Sequence, residues 1–202
     1  MRSLFLLGLG LVLVLAGCTA VTPPAGDEDA PRVAFYGDSY TLGTGASDPS
    51  LRWSSIICAE RGWQEFNPSV NGLGFVNNRA TDGEGDLPAL VIANDPSIVF
   101  ITMGLNDNFS YDRAANQIRL RITEDFTRLA TALPDARFIV VEPFWYTDRR
   151  PESVEVIIGW VRDAAAAIGA DYIPGASHWI EGHPEWMASD GLHPNDAGYA
   201  AM

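Results

Sequence analysis

Three short motifs place chemically useful residues at separate points along a chain of 202 residues. They are Gly-Asp-Ser at 37–39, Gly-Leu-Asn-Asp at 104–107 and Asp-Gly-Leu-His at 190–193. The first supplies a serine hydroxyl, the second a side-chain amide, and the third a histidine three residues after an aspartate. A hydroxyl becomes a nucleophile when a base takes its proton, and an amide N–H stabilises a developing oxyanion. Together the motifs contain the parts that acyl transfer requires.

Ser39 and His193 are the candidate nucleophile and base. Asp190 can bond one ring nitrogen of His193 and fix its tautomer, so that the other nitrogen faces the serine. Pro194 is predicted to begin a helix, with His193 on its N-cap side. Each motif also has a purely structural interpretation, because Asp and Ser favour turns and helix N-caps.

Asn106 follows an apolar run at 97–103 and is the candidate side-chain donor to an oxyanion. Its neighbour Asp107 is expected to form a local helix cap or Asx-turn. A backbone N–H from a glycine would complete the set of donors, and the segment 67–75 offers Gly72 and Gly74. The residues alone leave the choice between these two glycines open.

The elements that must position these residues are strands and helices in alternation. Continuous apolar runs at 33–36, 97–103 and 137–141 are typical of strands buried on both faces of a parallel sheet. Apolar residues at helical spacing predict one helix over about 112–132 and another between Pro151, as a first-turn proline, and Gly169. The alternation predicts βαβ units in a three-layer α/β/α sandwich. Sites in such sheets form at the carboxyl ends of the strands, where the first two motifs fall.

In this order and placement, the motifs resemble those of the GDSL/SGNH hydrolase family, whose members are esterases, lipases, thioesterases and carbohydrate deacetylases. The resemblance covers residues 32–202. It implies a flavodoxin-like α/β fold with a mostly parallel five-stranded sheet. Members of the family usually continue the final helix for two or three more turns, so the C-terminal helix is expected to be truncated in this sequence.

The resemblance also implies roles for individual residues. Ser39, Asp190 and His193 would form the catalytic triad. The N–H of Ser39, the N–H of Gly72 and the amide of Asn106 would form the oxyanion hole, with Gly74 as the alternative glycine. Neither a metal nor an organic cofactor is expected.

The N-terminal residues read as an export signal and a tether. Residues 1–18 contain one arginine, an apolar run and a lipobox-like ending, so they are interpreted as a lipoprotein signal peptide with lipidation at Cys18. The alternative is an ordinary secretory signal cleaved near Ala20. Residues 19–31 are rich in proline and acidic residues and predict a flexible tether before the domain at 32–202. The expected location is extracytoplasmic, with the lipid anchoring the protein to the bacterial cell membrane.

Charge and cysteine content argue against several classes of partner and against stabilisation by a disulfide. The 26 acidic residues outnumber 13 basic ones, all of them arginine, which argues against nucleic acid and against electrostatic docking on anionic lipid. Cys58 would be the one unmodified cysteine after processing, so no internal disulfide is expected, and its apolar neighbours indicate a buried, unreactive thiol.

The sequence therefore predicts a serine esterase of the cell envelope, acting on short acyl esters or the O-acetyl groups of a glycan. A lipase or lysophospholipase, an O-acyltransferase, and a non-catalytic envelope-binding protein remain open. Aromatic loop residues could line an acyl pocket or stack on a sugar ring, and ordinary packing accounts for them about as well; these are Trp145, Tyr146, Trp179 and Trp186. The spacing of His178, Glu181 and His183 matches no zinc signature and is interpreted as a solvent-facing loop. The oligomeric state is not predicted.

Overall fold

The computed structural model describes residues 29–80 and 86–202. Within them, five strands form one sheet in the order β2-β1-β3-β4-β5, and every neighbouring pair is parallel. The strands are β1 (Arg32–Tyr36), β2 (Gln64–Phe66), β3 (Ile98–Ile101), β4 (Arg137–Val141) and β5 (Asp171–Ile173). The predicted α/β class with a parallel five-stranded sheet is confirmed. The three strands predicted individually are β1, β3 and β4, which form the centre of the sheet.

Helices connect successive strands and cover both faces of the sheet. They are α1 (Ser39–Leu42), α2 (Trp53–Arg61), α3 (Leu87–Asn94), α4 (Tyr111–Ala132), α5 (Glu152–Ala167) and α6 (Asp196–Ala201). The helix predicted over 112–132 is α4, and the helix predicted before Gly169 is α5. Pro151 is the N-cap of α5 and not part of its first turn, because its extended backbone (ψ 154°) lies outside the helix.

Two apolar layers hold the helices on the sheet. Residues of a strand alternate between its faces, so Ala34 and Tyr36 point into one layer and Val33 and Phe35 into the other. The first layer packs against α3, α4 and α5, and the second against α2, α6 and the α5 residues Val154 and Ile158. Both sides of β1 are therefore buried, which explains its continuous apolar sequence.

The predicted helix start at Pro194 is wrong. Helix α6 begins at Asp196, and the side chain of Asn195 caps it by accepting the N–H of Gly198 at 3.1 Å. Pro194 instead forms an isolated antiparallel bridge with Met187, so its backbone is committed to an extended pairing. His193 consequently lies in the turn before the helix and not at its cap.

Cys58 lies in α2 and is 3% exposed, which agrees with the predicted buried thiol; its burial raises the pKa of the thiol to about 12. Within the described ranges, no helix combines the length and apolarity needed to cross a bilayer. The predictions for the signal peptide, for Cys18 and for most of the tether lie outside the described residues.

Candidate active site

The nucleophile candidate lies where the central strand β1 ends. Ser39 is the first residue of α1, three residues after Tyr36 at the end of β1, and is 5% exposed. Asp38 caps this helix, and its carboxylate accepts the N–H of Tyr40 at 3.0 Å. The N–H of Ser39 has no partner inside the helix, since the first N–H groups of a helix lack an acceptor one turn earlier. Ser39 can therefore present both its hydroxyl and its N–H at the carboxyl edge of the sheet.

Asn106 joins the nucleophile turn to the glycine loop. It follows the neighbouring strand β3, and its amide nitrogen donates to Asp38 Oδ2 at 3.2 Å and to the carbonyl of Leu73 at 3.0 Å. Asp38 is fully buried, and this burial raises the pKa of its carboxyl group to about 7. The two bonds fix the plane of the Asn106 amide within the site.

Asp107 organises the glycine loop, and the expected local cap or Asx-turn is wrong. Its buried carboxylate accepts the backbone N–H groups of Phe75, Val76 and Asn77 at 2.7, 2.8 and 3.2 Å. These partners lie about thirty residues earlier in the chain, so local sequence gave no indication of them. Burial raises the pKa of Asp107 to about 6, while the three hydrogen bonds act in the opposite direction.

The two candidate glycines differ in what their N–H groups do. The N–H of Gly74 donates to the carbonyl of Asn77 at 2.9 Å, and a Cβ at Gly74 would lie 2.6 Å from both carboxylate oxygens of Asp107. Gly72 has a φ of 71°, and its carbonyl accepts the side-chain amides of Asn77 and Asn78. No hydrogen bond among the described residues uses the N–H of Gly72. The geometry therefore leaves Gly72, and not Gly74, with a donor available.

Asp190 and His193 are hydrogen-bonded to each other within one turn. Oδ2 of Asp190 lies 2.7 Å from Nδ1 of His193, and its Oδ1 accepts the N–H groups of Leu192 and His193 at 2.9 and 3.0 Å. The hydrogen bond from the imidazole is the main cause that lowers the pKa of Asp190 to about 2. The carboxylate is thus ionised at neutral pH and engages Nδ1, which leaves Nε2 as the ring nitrogen available to a substrate or a hydroxyl.

The side chain of Tyr40 connects the histidine turn to the helix that carries Ser39. The hydroxyl of Tyr40 donates to the carbonyl of Leu192 at 2.7 Å, and its ring centroid lies 6.0 Å from that of His193. Among the described residues, no hydrogen bond joins the hydroxyl of Ser39 to the His193 ring. Catalytic hydrogen bonds are often long before substrate binds, so this separation is compatible with a serine–histidine pair.

The aromatic loop residues differ in their availability to a ligand. Trp145 is buried and packs against Tyr146, with ring centroids 4.7 Å apart. Trp179 is half-buried and packs against Phe144, which stacks in turn on the Tyr40 ring. The four predicted aromatic residues also include Trp186, whose indole stacks on His183 at 3.6 Å. The aromatic chain through Phe144 thus reaches the helix that carries the nucleophile.

The histidines other than His193 pair with carboxylates. His178 Nδ1 lies 2.5 Å from Glu181 Oε2, and His183 Nδ1 lies 2.9 Å from Glu185 Oε1. In the part of the chain that the structure describes, no three His, Cys, Asp or Glu residues come together as a metal site.

Sequence reasoning missed two residues that shape the site, Asp38 and Tyr40. Both flank Ser39, so their position in the motif was the available signal. The partners of their side chains, Asn106 and Leu192, are 68 and 152 residues away in sequence. Contacts over such separations leave no local pattern.

The chain belongs to the GDSL-like lipase/acylhydrolase family, whose family model matches residues 35–201. The parallel sheet, its strand order and the three motifs are all consistent with membership in this family. Membership in this family makes the protein an ester-bond hydrolase.

Particular relatives agree with this class. The chain is 28% identical over 207 residues to a GDSL lipase of Mycobacterium tuberculosis, covering 95% of this chain and 87% of the relative. Among solved structures, it is similar to TesA, with a TM-score of 0.68, 22% identity and coverage of 84% of this chain and 92% of the other. An acetylxylan esterase from Geobacillus stearothermophilus gives a TM-score of 0.61 at 17% identity, over 85% of this chain and 90% of the other. At these identities the structural likeness shows a shared fold.

Proposed function

We propose that the protein hydrolyses carboxylic esters by a Ser-His-Asp mechanism. Ser39 is the nucleophile, His193 the general base and Asp190 the residue that orients the base. The observation that carries the proposal is the 2.7 Å contact between Asp190 Oδ2 and His193 Nδ1, in a turn that Tyr40 ties to the nucleophile helix. An imidazole held in this way has the tautomer that a general base requires.

The reaction proceeds through an acyl-enzyme. Ser39 Oγ attacks the ester carbonyl while His193 Nε2 takes its proton, and the carbonyl oxygen acquires the negative charge. The N–H groups of Ser39 and Gly72 and the amide of Asn106 donate to this oxyanion, each such donor being worth about 3 kcal/mol in other hydrolases. His193 then gives the proton to the leaving alcohol. Water repeats the cycle on the acyl-enzyme and releases the acid.

The Asn106 amide can donate to an oxyanion only from a fixed position. Both of its N–H groups have acceptors before substrate arrives, Asp38 Oδ2 at 3.2 Å and the Leu73 carbonyl at 3.0 Å. Donation to the oxyanion replaces the longer bond to Asp38, while the bond to Leu73 keeps the amide in place, so little reorganisation is needed during the reaction. Asp107 does the same for the glycine loop through its three backbone partners.

The favoured substrates are short acyl esters, in particular the O-acetyl groups of an acylated glycan. Support comes from the structural likeness to an acetylxylan esterase and from the aromatic residues that reach the nucleophile helix through Phe144. A lipase or lysophospholipase is the second candidate, favoured by the similarity to a GDSL lipase. Transfer of the acyl group to a sugar in place of water would use the same residues.

The experiment that tests this function measures hydrolysis of p-nitrophenyl esters of two to twelve carbons by the full chain in detergent. Ser39→Ala removes the nucleophile, and Ser97→Ala is the matched control because Ser97 lies exposed at the entrance to β3. Turnover is expected in the wild type and the control and not in Ser39→Ala. A maximum at acetate, with acetate released from acetylated xylan, supports the glycan substrate, and a maximum at long chains supports the lipase. Undiminished turnover in Ser39→Ala would contradict the mechanism.

We also propose that the protein is exported and anchored to the cell membrane by lipid on Cys18, with residues 19–31 as the tether. The anchor would hold the domain near envelope substrates. Membrane fractionation of cells that produce the wild type or Cys18→Ala tests this proposal. The wild type is expected in the membrane fraction and Cys18→Ala outside it. Equal partition of both would favour the ordinary secretory signal cleaved near Ala20.

A further inference from the structure

The segment that carries His193 is tied to the rest of the domain at one place. In the described residues, the hydrogen bonds that leave segment 184–202, other than those to the adjoining His183, all go to residues 40–47, which follow the nucleophile. They join Tyr40 Oη to the Leu192 carbonyl (2.7 Å), Ser47 to the Asp196 carboxylate (2.7 and 2.6 Å) and Tyr199 Oη to the Thr44 carbonyl (2.7 Å). The base is therefore positioned against the nucleophile by residues 40–47.

Among these ties, the bond from Tyr40 lies closest to the reacting groups. Tyr40 follows Ser39 in the chain, and its acceptor is the carbonyl of the residue directly before His193. The Tyr40 side chain is 1% exposed and stacks on Phe144, with ring centroids 5.4 Å apart and an interplanar angle of 18°. Burial raises the pKa of its phenol, so the hydroxyl stays protonated and donates at all working pH values.

We propose that Tyr40 is a positioning residue that sets His193 against Ser39 by holding the Leu192 carbonyl. This inference rests on the proposed function, in which the two residues act together. In this chain the residue after the proposed nucleophile is a tyrosine, so this position supplies a hydroxyl donor.

Loss of the hydroxyl frees the turn that contains Asp190 and His193 from the nucleophile helix. The Asp190–His193 pair stays intact, because its three hydrogen bonds lie within the turn. The pair can then move as a unit relative to Ser39. A misplacement of about 1 Å can reduce a rate by about 100-fold, so a partly restrained turn should lower kcat by about tenfold. KM should stay unchanged, since the buried Tyr40 side chain offers no surface to a substrate.

The test compares Tyr40→Phe with Tyr36→Phe in the full chain. Both variants delete one buried phenol hydroxyl, and the Tyr36 hydroxyl bonds Asp125 in the layer against α4, with no contact to the histidine turn. For each variant, kcat and KM are measured with a p-nitrophenyl ester and normalised to the folded fraction from circular dichroism. The rate of serine phosphonylation by a p-nitrophenyl phosphonate is a second readout, because it reports activation of the serine by the base without deacylation.

The expected result is a tenfold lower kcat and a similarly slower phosphonylation in Tyr40→Phe, with unchanged KM and with Tyr36→Phe near the wild type. Equal kcat and phosphonylation rates in the two variants would overturn the inference. A Tyr40→Phe protein that does not fold would also overturn it, because the residue would then be structural. If Ser39→Ala retains turnover, the proposed function has failed, which is a separate outcome from failure of the role of Tyr40.

Discussion

A methyl group added at Gly45 should push the turn that bears the base away from the nucleophile by steric contact. Gly45 has a φ of 98°, and a Cβ built on it would lie 2.4 Å from the carbonyl oxygen of Pro194 and 3.2 Å from Cβ of His193. Both contacts belong to the histidine segment. The Pro194 carbonyl is backbone, so the clash cannot be relieved by rotating a side chain.

The size of the effect follows from these distances. A 2.4 Å contact must open by about 1 Å to reach ordinary van der Waals separation, and this shift moves His193 away from Ser39. Misplacement of about 1 Å costs about 100-fold in rate. A positive φ in a residue with a side chain adds strain of about 1–3 kcal/mol to the folded state. Gly45→Ala should therefore lower both kcat and the free energy of unfolding.

Gly169→Ala is the control that distinguishes the steric contact at Gly45 from the backbone strain of a positive φ. Gly169 also has a positive φ, of 69°, but a Cβ there would meet no atom within 4 Å. The assay measures kcat and KM on a p-nitrophenyl ester, together with urea unfolding of both variants. We expect both to lose stability and Gly45→Ala alone to lose kcat. Equal kcat per folded molecule in the two variants would refute the reasoning that contact at Gly45 positions the base.

Two further predictions concern titratable groups. Asp190→Asn can keep its backbone hydrogen bonds through Oδ1, but its amide would donate to His193 Nδ1 and place the ring proton on Nε2. The value of kcat should therefore fall by about 10²–10⁴-fold with little loss of stability. Circular dichroism and measurement of kcat check this, and a loss of kcat below tenfold would argue against the role of Asp190. Burial raises the pKa of Asp38 from 3.8 to about 7 and that of Asp107 to about 6, so the folded protein keeps protons that the unfolded chain releases. The free energy of unfolding should therefore decrease as pH rises from about 4 to 7, by about 4 kcal/mol for Asp38 alone, and the decrease should be smaller in Asp38→Asn. Urea titrations at pH 4 and 8 measure it, and a stability that rises with pH in this window would contradict the prediction.

The fold class and the order of the motifs could be predicted from the amino-acid sequence. The strands β1, β3 and β4 are buried on both faces, so their apolar runs are continuous, and α4 and α5 show a helical period because one side of each faces the sheet. Parallel strands end at one edge, so residues that follow β1 and β3 had to meet there. The three-residue edge strands β2 and β5 were too short to give a comparable signal.

The hydrogen-bond partner of each polar group in the site could not be predicted from the sequence and is known from the fold. Asp107 reaches a loop about thirty residues away, Gly74 uses its N–H within that loop, and Tyr40 bonds Leu192 across 152 positions. Local patterns record whether a side chain faces the core or the solvent, because burial follows the period of a helix or strand. They do not record which distant backbone group comes within hydrogen-bond distance, because that depends on how the sheet and its loops pack in space.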